Sequence, residues 1–233
     1  MTSIEQTTLN PKDARLAGAL YLAIAVCGGF SIGFVPSQIV VAGDAAATVA
    51  NLKNKSGLFQ LGVLADSAVI LLELAITAIL YQMFRTTNPR LSMIALISRL
   101  GMIIVMGINL LLWVMPYVLA TQPLGFDQPT SHALGQTFIN AHALGVFIWQ
   151  LYFGAHLLAL GAIILRTNLV PHLLGWGLFI GAFGYIVQGL AKLTFIDIAA
   201  LNYLIIGLLV IVTISEISFG IWLFFRGSRA AAH

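Results

Sequence analysis

Residues 202–225 read NYLIIGLLVIVTISEISFGIWLFF, twenty-four positions with one carboxylate and no basic side chain. Wound as an α-helix, this run is about 36 Å long, enough to cross a hydrocarbon layer about 30 Å thick. Five more runs qualify, at about 16–35, 58–83, 91–118, 132–165 and 173–190. None has the period-two alternation of a barrel strand, so helices are the form in which they span. Composition agrees: 60% of the 233 residues are hydrophobic and 8% are charged, against about 25% charged in soluble domains. The expected fold is all-α, a polytopic six-helix transmembrane bundle filling residues 1–233 as one integral membrane domain.

The net charge of +3 is a topology signal rather than a nucleic-acid footprint. Lys12, Arg15, Arg85, Arg90, Arg166, Arg226 and Arg229 fall on one side of a six-span chain, and Lys53, Lys55 and Lys192 on the other. The positive-inside bias then puts both termini in the cytoplasm, which implies the inner (cytoplasmic) membrane. Span 1 is long for the apolar core of a signal peptide and reads as a true span. Cys27, the lone cysteine, reads as packing.

Two inner connections resemble one another, RTTNP at 85–89 and RTNLVP at 166–171, each with Arg at the helix exit and Asn and Pro in the turn. An outer connection differs. Residues 43–51 predict a short amphipathic surface helix between spans 1 and 2, with Asp44 as N-cap and Ala46, Val49 and Leu52 on its apolar face. The GxxxG spacings Gly29/Gly33 and Gly177/Gly181 suggest close helix contacts and leave a homo-oligomer open.

Ionisable groups at membrane depth are costly and mark candidate sites. Counting about 1.5 Å per residue from the inner helix ends, Glu73, Arg99, His156 and Glu216 share one level, roughly 12–15 Å deep. Asp66 and a secondary polar layer of Asn109, Gln150 and Gln188 lie higher, at roughly 22–27 Å. Arg99 is expected to pair with Glu73 or Glu216, because an unpaired guanidinium in hydrocarbon is very unfavourable. Three carboxylates then share the interior with one arginine. Either His156 is protonated, or carboxyls hold protons, or a cation is bound.

His142 and His156 lie on one face of span 4, about 21 Å apart. That spacing suits one axial ligand to each of two stacked haems, with Met102, Met106 or a second protomer completing the coordination. Zinc held by His156, Asp66 and Glu73 is a further reading. The plainer one joins His156 to the carboxylates, leaves His142 at the outer rim, and needs no cofactor. No GxSxG, HExxH, CxxC or phosphate-binding glycine loop occurs.

The stretches ARLAGALYLAIAVCGGF, AGDAAATVANL and ADSAVILLELAITAILYQMFR resemble an uncharacterised bacterial membrane family. So do HALGVFIWQLYFGAHLLALGAIILRTNLVPHLLG and SEISFGIWLFFRG. The family is the domain of unknown function numbered four-three-eight-six. The resemblance implies a multi-pass helical membrane protein and carries no activity, cofactor or catalytic residue.

The expected function is binding or translocation of a small molecule or ion, proton-coupled, with membrane lipids as surroundings. Arg99 would hold carboxylates or an anionic head, Glu73 and Glu216 would exchange protons, and His156 would tune them. A redox or hydrolytic enzyme and an accessory structural subunit are the alternatives.

Overall fold

The computed structural model describes residues 9–122 and 124–227, so Arg229 of the reading above lies outside it. It is all-helical, with six helices long and apolar enough to cross a membrane. They are α1 (Pro11–Ile39), α3 (Ser56–Phe84), α4 (Pro89–Thr121), α5 (Gln128–Ile164), α6 (His172–Leu193) and α7 (Ala199–Arg226). The short α2 (Ala45–Asn54) lies between α1 and α3.

Three of the spans, α1, α4 and α5, start ahead of their hydropathic stretches and carry side-chain caps there. Asn10 Oδ1 accepts the Lys12 amide at 3.0 Å, Asn88 Oδ1 that of Leu91 at 3.1 Å, and Asp127 Oδ1 that of Thr130 at 3.0 Å. Each cap satisfies one of the four amides that a helix start leaves unpaired. The two look-alike connections part company here. Asn88 caps α4, whereas α6 starts at Pro171 with no side-chain cap.

Asp44 caps α2 as the sequence predicts, Oδ1 accepting the Ala47 amide at 2.8 Å. Its inward face is different. Thr48 and Leu52 are buried, Val49 is half-buried and Ala46 is exposed. Thr48 Oγ1 accepts the Val41 amide at 2.9 Å, so a polar residue turns inward to tie the entering loop. Leu52 packs with Val35, Ile39, Phe59 and Trp113 at this end of the bundle.

The spans form a ring in which each touches the next, α3 to α4 to α5 to α6 to α7, with α1 bridging α3 and α7. The α1–α7 seam is tight near the termini. A Cβ on Gly18 would come within 2.7 Å of the Gly220 carbonyl oxygen, and the Tyr21 and Phe219 rings meet edge-on at 5.6 Å. On the opposite seam side, a Cβ on Gly181 would lie 2.6 Å from Val212 Cβ, so the Gly177/Gly181 spacing is a real α6–α7 contact. The Gly29/Gly33 spacing is not: nothing lies within 4 Å of where their Cβ atoms would be. There α1 runs through a π-helical turn, Gly29–Phe34, in which the Val35 amide reaches back to the Phe30 carbonyl. The extra residue per turn redirects the helix faces, so a spacing rule built on 3.6 residues per turn fails.

Candidate functional site

Arg99 is 0% exposed, an arginine at the centre of a membrane bundle. Its partners come from three other spans. Arg99 Nε donates to Glu73 Oε2 at 2.7 Å, and Nη1 donates to Tyr21 Oη at 3.2 Å. Nη1 also lies 2.8 Å from His156 Nε2. The guanidinium carbon stands 5.3 Å from the Tyr21 ring centroid and 5.6 Å from that of Phe153, so aromatic faces cover the charge. Thr77 Oγ1 donates to the Glu73 carbonyl at 2.6 Å and steadies the helix that presents the carboxylate.

These contacts fix the tautomer of His156. Arginine has donors only, so His156 Nε2 accepts. Nδ1, 2.9 Å from the Ala95 carbonyl, carries the ring proton and donates it. A second proton would set two donors against each other. His156 is therefore neutral, and among the described residues the carboxylate in direct contact with Arg99 is Glu73. With both nitrogens committed, His156 offers no lone pair to a haem iron or a zinc ion.

Of the two carboxylates open to Arg99, Glu73 takes the pairing. Glu216 on α7 accepts from Tyr185 Oη at 3.1 Å, and among the described residues no basic side chain pairs with it. It lines a cavity of 330 Å³ with Glu73, Tyr21, Trp149, Phe153 and Tyr185, and all six spans contribute to the walls. Ala25, Gly29 and Ile32 of α1 and Thr213 and Ile217 of α7 line it and are exposed. The cavity thus reaches the outer surface of the bundle between α1 and α7. Beyond the cluster, toward the termini, the void between Thr77, Ser92 and His156 is only 10 Å³.

The remaining polar residues divide in two. Gln150 Nε2 donates to Gln188 Oε1 at 2.8 Å and clips α5 to α6. Asp66 sits two turns from Glu73 and does not join it. It lines a separate chamber of 80 Å³ with Asn109, His142, Met106, Trp149 and Ile32. His142 is half-buried on α5. Its Nδ1 donates to the Asn109 carbonyl at 3.0 Å and its ring packs 5.1 Å from that of Trp113.

Tyr21 and Tyr185 belong to the site and went unremarked in the sequence. The depth count that grouped the charged residues would have found Tyr21, ten residues from the start of α1 and so about 15 Å in. A tyrosine in a span reads first as an aromatic filler, which hid the hydroxyl.

The geometry defines a multi-pass membrane protein with a buried ion pair and an internal cavity that opens between α1 and α7. A family model described as a domain of unknown function, DUF4386, matches residues 16–227, and the chain belongs to that family. No curated protein and no solved structure matches it.

Proposed function

We propose that this protein binds a membrane-dissolved lipophilic molecule with a cationic head, an amine, in the 330 Å³ cavity, with Glu216 receiving the head. The carrying observation is the unequal treatment of the two carboxylates that line it. Glu73 is neutralised by Arg99, whereas Glu216 has one tyrosine hydroxyl and open space. Trp149, Phe153, Tyr21 and Tyr185 supply ring faces that attract a cation, and apolar walls suit a hydrocarbon body. Entry is lateral, between α1 and α7. Binding a cation at Glu216 displaces whatever proton it holds, which is the form of proton coupling this site supports.

Arg99 serves a different role in this reading. Sealed among Glu73, Tyr21, Phe153 and His156, it holds four spans in register and is out of reach of a ligand. The narrow void beyond it favours binding from one side over passage across the membrane. The setting proposed is the cytoplasmic membrane of a bacterium with both termini inside.

Trp149 in the cavity wall provides the test. Octylamine, octanol and octanoate are titrated against protein in lipid nanodiscs while Trp149 fluorescence is followed, with Trp149→Phe as the blank. Octylamine should act at about tenfold lower concentration than octanol, equivalent to about 1.4 kcal/mol, and Glu216→Gln should erase that difference. Equal potency of amine and carboxylate in the unaltered protein would refute the reading.

A further inference from the structure

The 80 Å³ chamber on the α2 side of the ligand cavity holds a carboxylate without a counter-charge. Asp66 lies ten residues into α3, about 15 Å from its start, and among the described residues no basic side chain pairs with it. The polar neighbour nearest in kind is Ser31, from the π-helical turn of α1. Ser31 is 5% exposed, and its hydroxyl closes no hydrogen bond of good geometry with any protein group. Asn109 of α4 lines the chamber, is 7% exposed, and leaves Oδ1 without a partner. Trp149 Nε1 is also unpartnered. The titratable group facing Asp66 from α5 is His142; α1 and α4 bring none to the chamber. Since His142 Nδ1 donates to the Asn109 carbonyl, the neutral ring keeps Nε2 as an acceptor.

Asn109 Oδ1 without a partner and an Asp66 carboxylate with no basic side chain beside it call for donors or positive charge in one small space. The space is polar on one side and roomy enough to hold water or a small ion. Gly145 of α5 lets the Asn109 amide pack against its backbone and so sets where that amide sits, since a Cβ there would lie 2.8 Å from Asn109 Cγ. The π-helical turn brings Ser31 to the same place.

We propose that this chamber is a binding site for one small monovalent cation, a proton carried on water or a sodium ion, held by Asp66 with Asn109 and Ser31. The site does not depend on the molecule proposed for the larger cavity, with which it shares Ile32, Met106 and Trp149 as lining.

Infrared difference spectroscopy of the protein in lipid nanodiscs, titrated over about pH 4–9 around the carboxyl range, reads Asp66 directly. The unaltered protein should show a carboxylic-acid band that Asp66→Asn lacks. Replacing choline chloride by sodium chloride at constant ionic strength and pH separates the two ions. If sodium binds, it bleaches the band, and each tenfold rise at saturation requires about tenfold more protons to restore it. If the band ignores sodium, the cation is the proton. Coincident spectra for the unaltered protein and Asp66→Asn overturn the proposal. Should Asp66→Asn fail to fold, Gly145→Ala and Ser31→Ala should each move the band's midpoint, and an unmoved midpoint in both overturns it equally.

Discussion

Arg99 Nε and Glu73 Oε2 meet at 2.7 Å in the middle of the ring, on consecutive spans and twenty-six residues apart. Removing one partner of such a pair leaves a buried charge uncompensated, at a cost of about 3–5 kcal/mol. Arg99→Leu and Glu73→Leu should each lower stability by that order in thermal unfolding in nanodiscs. The double variant should lose much less than the sum, because it removes both charges together. Additive losses would show that the two residues act separately.

His156 bridges the Arg99 guanidinium and the Ala95 carbonyl with its two ring nitrogens. His156→Leu strands one donor and one acceptor, each costing about 1–3 kcal/mol. His156→Gln, with one acceptor and one donor group, should retain most of the stability. Lowering the pH to charge this ring would have to break the Arg99 contact first. Nitrogen-resolved NMR of His156 should therefore show a single Nδ1–H tautomer from neutral into mildly acidic solution.

The two glycine environments of α1 should respond oppositely. Gly18→Val drives side-chain atoms into the Gly220 carbonyl region and should destabilise by about 1–3 kcal/mol. Gly29→Ala and Gly33→Ala meet empty space and should be tolerated. Unfolding curves of the three variants decide it. A large loss at Gly33→Ala would mean that this face is covered by another copy in the membrane.

Asp127 caps α5 outside the membrane-spanning layer, and its hydrogen bonds from the Thr130 hydroxyl and amide hold its carboxyl below the usual 3.8. A carboxyl lowered by folding stabilises fully above its unfolded value and loses that contribution as pH falls through the folded one. The cap should therefore be intact at neutral pH and weaken only below pH 3.8. The Thr130 amide resonance should titrate with a midpoint under 3.8. Asp127→Asn should keep the cap and abolish the titration.

Much of the architecture is legible in the sequence because membrane thickness imposes a length that hydropathy reports directly. The Asp44-capped helix is legible for a similar reason, since a cap is a local interaction. The Arg99–Glu73 pairing is half legible: depth brings Glu73 and Glu216 to the same level as Arg99. Only the order of helices around the ring decides between them. The cavity is not legible at all. It depends on the π-helical turn at Gly29–Phe34, a one-residue shift that no periodicity announces. The same shift makes Gly29/Gly33 a false contact signal and carries Ser31 inward toward Asp66. Asp66 and Glu73 share a helix stripe, yet they line different cavities that have Met106 and Trp149 in common.

The seam between α1 and α7 joins two spans with four others between them in the chain, which sets an order of assembly. Arg99 and Glu73 lie on neighbouring spans, so the α3–α4 hairpin can enter the bilayer already neutralised, long before synthesis ends. The ligand cavity has no such head start. Its wall on the Glu216 side does not exist until the C-terminal helix is inserted and Gly18 meets Gly220. A nascent chain arrested before α7 would hold its ion pair and have no binding site.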